Sequence, residues 1–203
     1  MKHSNTHAKV LRTTQLAFLA ALVAVLQVLS YTIKIGVFNL SLVLVPVVIG
    51  GILLGPKAGA FLGGVFGAVV AIACVTGLDV GGAMLFAANP FICIVLCLLK
   101  GIAAGFVSAL VYKVLAGIFK FNVLASALST ILCPVVNTGL FCIAMLLFYY
   151  DTLVAWAGGS GVFYYMFTGL IGINFVIELL INIILCPLIS EAVLRYSKKK
   201  TIK

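Results

Sequence analysis

Acidic side chains are almost missing from this chain: four in 203 residues, against thirteen lysines and arginines. Charged residues make up only 8% and mean hydropathy is +1.34. A soluble domain of this length carries far more surface charge, so a soluble fold is excluded and no room is left for a separate soluble domain. Histidine is nearly absent as well, with His3 and His7 both in the first dozen residues. The apolar body therefore has no imidazole to activate a nucleophile. Gly158-Gly-Ser-Gly161 is similar to the Gly-x-Ser-Gly of rhomboid proteases, but without a later histidine it is read as a flexible loop. A nucleotide-binding loop is missing too, because Pro56 interrupts the Gly-Lys that Gly50–Lys57 would need. An enzyme is not expected. The basic residues lie at the ends and in short turns, which argues against a nucleic-acid surface.

What is present is a series of apolar runs near membrane-spanning length. The reading is an all-α integral membrane protein with six transmembrane helices: Thr13–Ile33, Leu40–Leu54, Ala58–Thr76, Phe91–Leu115, Val123–Tyr149 and Met166–Leu194. The second run is short for a span, which leaves tilt, partial re-entry or packing against the connector before it. The Gly77–Gly82 stretch and the surroundings of Gly158–Gly161 read as loops, and Pro134 as a kink. Residues 1–12 form an N-terminal tail and 195–203 a basic C-terminal tail around a membrane domain spanning 13–194. No small-residue cleavage site follows the first run, so it is read as a retained helix. With the N-terminus inside, Lys34 is the only basic residue left to the outer loops, beside Asp79 and Asp151. That bias predicts both termini on the cytoplasmic side of a cell membrane crossed several times.

Against this background a few polar residues stand out. Asn174, Glu178 and Asn182 recur at i, i+4 and i+8 in the last run and share one helix face. A carboxyl at mid-membrane costs roughly 2.5–3.5 kcal/mol on insertion scales, so Glu178 calls for a partner, a cavity or a ligand. Lys100 lies about as deep in the fourth run, and Asn137-Thr138 at a similar depth in the fifth. Lys100, Asn137 and the Asn174/Glu178 face are thus expected to meet in one cluster. Two readings stay open: a structural Lys–Glu pair that fixes helix packing, or the lining of a solute site.

Small residues offer two further patterns. Ala17, Ala20, Ala21 and Ala24 form overlapping Ala-x-x-x-Ala pairs on the first helix, read either as internal packing or as a docking surface for another subunit. Gly59, Gly63 and Gly67 repeat the spacing on the third, where the tight Gly55-Pro56-Lys57 turn favours internal packing against the second helix. Six cysteines lie in or beside apolar runs. Cys93 and Cys97 share a helix face, but no histidine or carboxylate joins them, so they are read as small core residues with no metal or cofactor expected.

Taken together, the six runs, the alanine pairs, the Leu44–Gly64 segment with its Gly-Pro-Lys-Ala-Gly turn, and Pro134-Val-Val-Asn-Thr-Gly-Leu-Phe141 resemble the substrate-binding S components of energy-coupling factor (ECF) vitamin transporters. The resemblance covers most of the chain. It implies a membrane-embedded, high-affinity binder of a vitamin or similar micronutrient, closest in layout to pantothenate-type S components, with riboflavin or folate as other options. It also implies docking, through the helix 1 alanines, onto a transmembrane coupling subunit carrying two cytoplasmic ATPases, and delivery of solute by toppling of the whole protein in the lipid. Carried onto this sequence, the family's site falls on Asn89, Lys100, Asn137, Asn174 and Glu178, with Thr138 beside Asn137 and with Phe38 and Asn39 in a lid. A solitary secondary carrier or a membrane assembly protein remains the alternative.

Overall fold

The computed structural model describes residues 2–32, 34–35, 38–39, 42–118 and 122–201, with the backbone alone described for 2–8, 34–35, 38–39, 122, 173–174 and 193–201. In chain order the helices are α1 (Lys2–Ser30), α2 (Leu44–Leu54), α3 (Pro56–Thr76), α4 (Val80–Ala88), α5 (Pro90–Ile118), α6 (Asn122–Phe148), α7 (Tyr150–Ala157), α8 (Val162–Tyr165) and α9 (Gly172–Thr201). A π-helical stretch, Met166–Ile171, joins α8 to α9. Between α1 and α2 a minimal antiparallel ladder pairs Lys34 with Asn39 and Ile35 with Phe38.

Among the described residues five segments are long and apolar enough to cross a membrane: Lys9–Ser30, Pro56–Thr76, Pro90–Ile118, Val123–Phe148 and Phe175–Ala192. Helix α2 has only 11 residues, or about 16 Å of axis, roughly half a hydrocarbon core. It is instead the best-buried helix, with Leu44–Ile52 all inside and contacts to α1, α3, α5, α6 and α9. A helix apolar on every side must be covered by protein or by lipid, and here protein covers it. The expected 1–12 and 195–203 tails continue α1 back to Lys2 and α9 on to Thr201 as helical backbone.

Turn chemistry explains the helix ends. Gly55 has φ 90°, open to glycine alone, and Pro56 follows at the first helical position, where its missing N–H costs nothing. Gly77 ends α3 in the left-handed region. Only the first half of the expected Gly77–Gly82 loop is non-helical: Asp79 is an N-cap whose carboxylate accepts from Gly82 N at 3.1 Å, and α4 begins at Val80. The expected Met166–Leu194 helix is likewise interrupted, at Gly172 with φ 38°. Helix α6 continues through Pro134, which is fully buried.

The tightest contact in the fold joins α3 to α5. A Cβ placed on Gly59 would run into the Gly105 carbonyl, one on Gly63 into that of Gly101, and one on Gly67 into that of Cys97. Gly101 and Gly105 meet the Gly63 and Gly59 carbonyls in return. The small-residue repeat on α3 thus serves internal packing, as its spacing suggested, but its main partner is α5, with α2 approaching only at Gly59 through Gly51. Helix α2 has its own close approach, with Gly51 against Ala109. Polar side chains reinforce the bundle sparingly: Ser126 and Ser190 hydroxyls lie 2.9 Å apart between α6 and α9.

Candidate functional site

A cavity of about 130 Å³ opens between α3, α4, α5, α6 and α9. Its wall includes Asp79 at the start of α4, Lys100 on α5, Asn137, Thr138 and Phe141 on α6, and Leu170, Phe175 and Glu178 from the last part of the chain. Four residues singled out by their polarity in apolar runs therefore surround one space: Lys100, Asn137, Thr138 and Glu178. Three helices bring them together, none within 30 residues of the next except the neighbours on α6.

The electrostatics of that space are unusual for a membrane interior. The half-buried Lys100 ammonium sits 5.1 Å from the centroid of the Phe141 ring, whose quadrupole attracts a cation. Glu178 is 8% exposed. The Asn137 carbonyl oxygen, Oδ1, is buried and accepts no hydrogen bond. A buried orphan acceptor costs about 1–3 kcal/mol, so the cavity holds an unmet demand for a donor beside one ammonium and two carboxylates.

The other expected site residues are placed differently. Asn89 caps α5: its Oδ1 accepts from Ile92 N at 3.2 Å, and its main-chain carbonyl accepts from the Tyr149 hydroxyl at 3.0 Å. Burial pushes the Tyr149 phenol up to about 12, so it stays a donor. Asn89 holds the entrance of α5 and is not part of the cavity wall. Asn182, third in the polar stripe, is fully buried and donates to the Glu178 main-chain carbonyl at 2.7 Å, one turn back in its own helix. The side chains of Phe38, Asn39 and Asn174 lie outside the described residues.

Residue-type reasoning passed over Asp79, the two aromatics and a cysteine patch. Cys74, Cys93 and Cys97 all line the cavity. The Asp79-Val-Gly-Gly82 order is an N-cap pattern and was the available signal for a helix start there. Nothing in the spacing of Cys74 tied it to the other two. A larger groove of about 470 Å³ between α1, α2 and α9 has Gln15 as its only polar side chain and offers no convergent groups for a polar solute.

Fold and site together define a multi-pass helical membrane protein with a small charged cavity set among its helices. Comparison with protein families gives that class a family: the model described as "ECF transporter, substrate-specific component" matches residues 12–190. The chain belongs to the ECF transporter substrate-specific components. Membership carries a small-molecule substrate and an ECF module as partner. No curated protein matches the chain.

Proposed function

We propose that this chain is the high-affinity solute-binding subunit of an ABC-type importer for a vitamin or related micronutrient, with a pantothenate-like carboxylate favoured. The observation that carries this reading is the cavity itself. Lys100, Glu178, Asp79 and the unmet Asn137 acceptor face one space. An ammonium in that setting suits a solute carboxylate, and the orphan acceptor suits a solute hydroxyl or amide N–H. Asn174, Phe38 and Asn39 would join the site from the start of α9 and from the α1–α2 connector, and Asn89 would act from behind as the cap of α5.

In this reading α2 completes a set of six membrane segments, both termini are cytoplasmic, and the cavity lies toward the outer face. The energy comes from a transmembrane coupling subunit with two ATPases, and transport proceeds by toppling of the loaded protein. Ala17 and Ala21 are exposed on α1 while Ala20 and Ala24 are half-buried, so the outward half of the alanine face is free to meet a partner. Ala21→Trp is expected to lower capture of the coupling subunit at least about tenfold, or roughly 1.4 kcal/mol, while solute affinity stays unchanged. Co-purification from membranes reads the first number and calorimetry the second. Equal capture by both forms would remove α1 as the docking face.

The primary test is a thermal-shift screen of the purified protein against a vitamin panel. A ligand present at a thousand times its Kd adds about 4 kcal/mol, which no detergent background hides. One strong hit among carboxylate vitamins is the expected result. A protein that responds to none and captures no ATPase from its own membranes is not an ECF subunit for a vitamin.

A further inference from the structure

Among the described residues three side chains meet the geometric demand of a metal centre, and they belong to the cysteine patch. The sulfurs of Cys74, Cys93 and Cys97 all lie within 4.8 Å of one another, and Cys74 Sγ is 4.0 Å from Cys97 Sγ. Three thiolates bound to one ion at about 2.3 Å stand about 3.8 Å apart on a tetrahedron and about 4.0 Å apart in a trigonal plane. One sulfur pair is already near the required separation, and the third sulfur needs to close by at most about 1 Å. All three side chains are buried, at 3%, 2% and 5% exposure, so their positions are fixed by packing.

The packing is specific to the triad. Cys93 and Cys97 are one turn apart on α5, and Cys74 reaches them from α3 because the glycine seam brings the two backbones into contact beside Gly67. Helix α4 closes the far side: Cys93 Sγ donates to the Gly82 carbonyl at 3.8 Å, and a Cβ on Gly82 would fall inside the Cys74 sulfur. The remaining cysteines, Cys133, Cys142 and Cys186, form no such group among the described residues.

We propose that Cys74, Cys93 and Cys97 bind one thiophilic divalent cation, of which Zn(II) is the type, with a fourth coordination position facing the cavity. All three cysteines line that cavity, as do the Asp79 carboxylate and the Lys100 ammonium. Three protein ligands and one open position are the pattern of a reactive or exchangeable zinc site, not of a closed structural one. Binding replaces three S–H bonds by three S–metal bonds and releases three protons to solvent, so affinity rises with pH. The Zn(II)–trithiolate unit carries one negative charge, which the Lys100 ammonium across the same space offsets. Water or a donor atom of a cavity solute completes the sphere. The assignment stands on the sulfur geometry and holds whichever solute the protein carries.

Cobalt(II) titration of the reduced, purified full chain tests it. The expected result is saturation at one equivalent, a thiolate-to-cobalt charge-transfer band in the near ultraviolet, tetrahedral d–d bands, and loss of both sets of bands on adding zinc. Cys74→Ser and Cys97→Ser should each weaken cobalt binding at least about a hundredfold, while Cys142→Ser leaves it unchanged. Absence of charge transfer at one equivalent, or equal loss in the Cys142→Ser form, overturns the proposal. Zinc-edge X-ray absorption on the unsubstituted protein covers the case in which a serine variant fails to fold. Three sulfurs at about 2.3 Å with one lighter ligand are expected there. A shell of oxygen and nitrogen alone overturns the assignment.

Discussion

Gly63→Ala is expected to destabilise the protein by about 3 kcal/mol, at the upper end for overpacking a filled interior. The added methyl would overlap the Gly101 carbonyl oxygen, with the carbonyl carbon at 2.6 Å and Ile102 N at 3.2 Å. All three atoms are backbone within α5, so none rotates aside; only separation of the helices relieves the clash. Separating them breaks the contacts at Gly59–Gly105 and Gly67–Cys97 as well, because one rigid helix cannot move off its partner at a single point. In thermal unfolding this amounts to a fall of roughly 6–12 °C for a chain of this size. Gly64→Ala is the matched control, one residue along the same helix. Its Cβ would lie 3.4 Å from Ile102 Cγ1, the flexible part of a side chain, and a change within about 0.5 kcal/mol is expected. Equal effects at the two positions would mean that helix propensity, not the seam, decides the outcome.

The second large effect belongs to the cavity. Lys100→Met keeps the length and apolar stem of the side chain but removes the ammonium from beside Phe141. For a carboxylate solute the expected loss is about 100-fold in Kd, or roughly 2.7 kcal/mol, within the range for removing one partner of a buried charge pair. Glu178→Gln keeps shape and hydrogen bonding while removing charge, and separates two roles. If the carboxylate mainly balances Lys100, neutralising it leaves a bare cation and carboxylate solutes bind more tightly. If it receives a cationic or donor group of the solute, binding weakens by a similar factor. Calorimetry with the hit from the vitamin panel reads both variants on folded protein. Unchanged Kd in both would return Lys100 and Glu178 to a purely structural role.

How much of this was legible in advance depends on contrast. Lys100, Asn137 and Glu178 stand out because a charge or amide inside an apolar run has few reasons to be there. The structure gathers them around one space, though three different helices supply them. The cysteines have no such contrast, since a thiol is at home among aliphatic side chains, and Cys74 is 23 residues from Cys97. Only the approach of α3 to α5 makes them neighbours. Helix α4 was hidden for another reason: Gly81 and Gly82 weigh against helix in any propensity count, yet contact with Cys74 requires a residue without a side chain there. Asn89 shows the opposite ambiguity. A polar residue before a proline marks a helix start as readily as a binding site, and here it is the cap.

The glycine seam does not select its own alignment. Sliding α5 along α3 by one turn, about 6 Å, sets Gly63 against Gly105 and Gly67 against Gly101, and a slide the other way sets Gly59 against Gly101 and Gly63 against Cys97. Small residue meets small residue in all three alignments, so the seam supplies close approach but almost no discrimination. The choice therefore falls to features outside it: Gly51 locked on Ala109, the two-residue hinge at Gly55-Pro56, and Gly82 seated on Cys74. A chain caught one turn out would be nearly as well packed along α3 and α5, yet it would carry Lys100 away from Asn137 and Glu178. For this protein, misassembly along the seam and dispersal of the Lys100, Asn137 and Glu178 cluster would be one event, which the placing of the short central helix guards against.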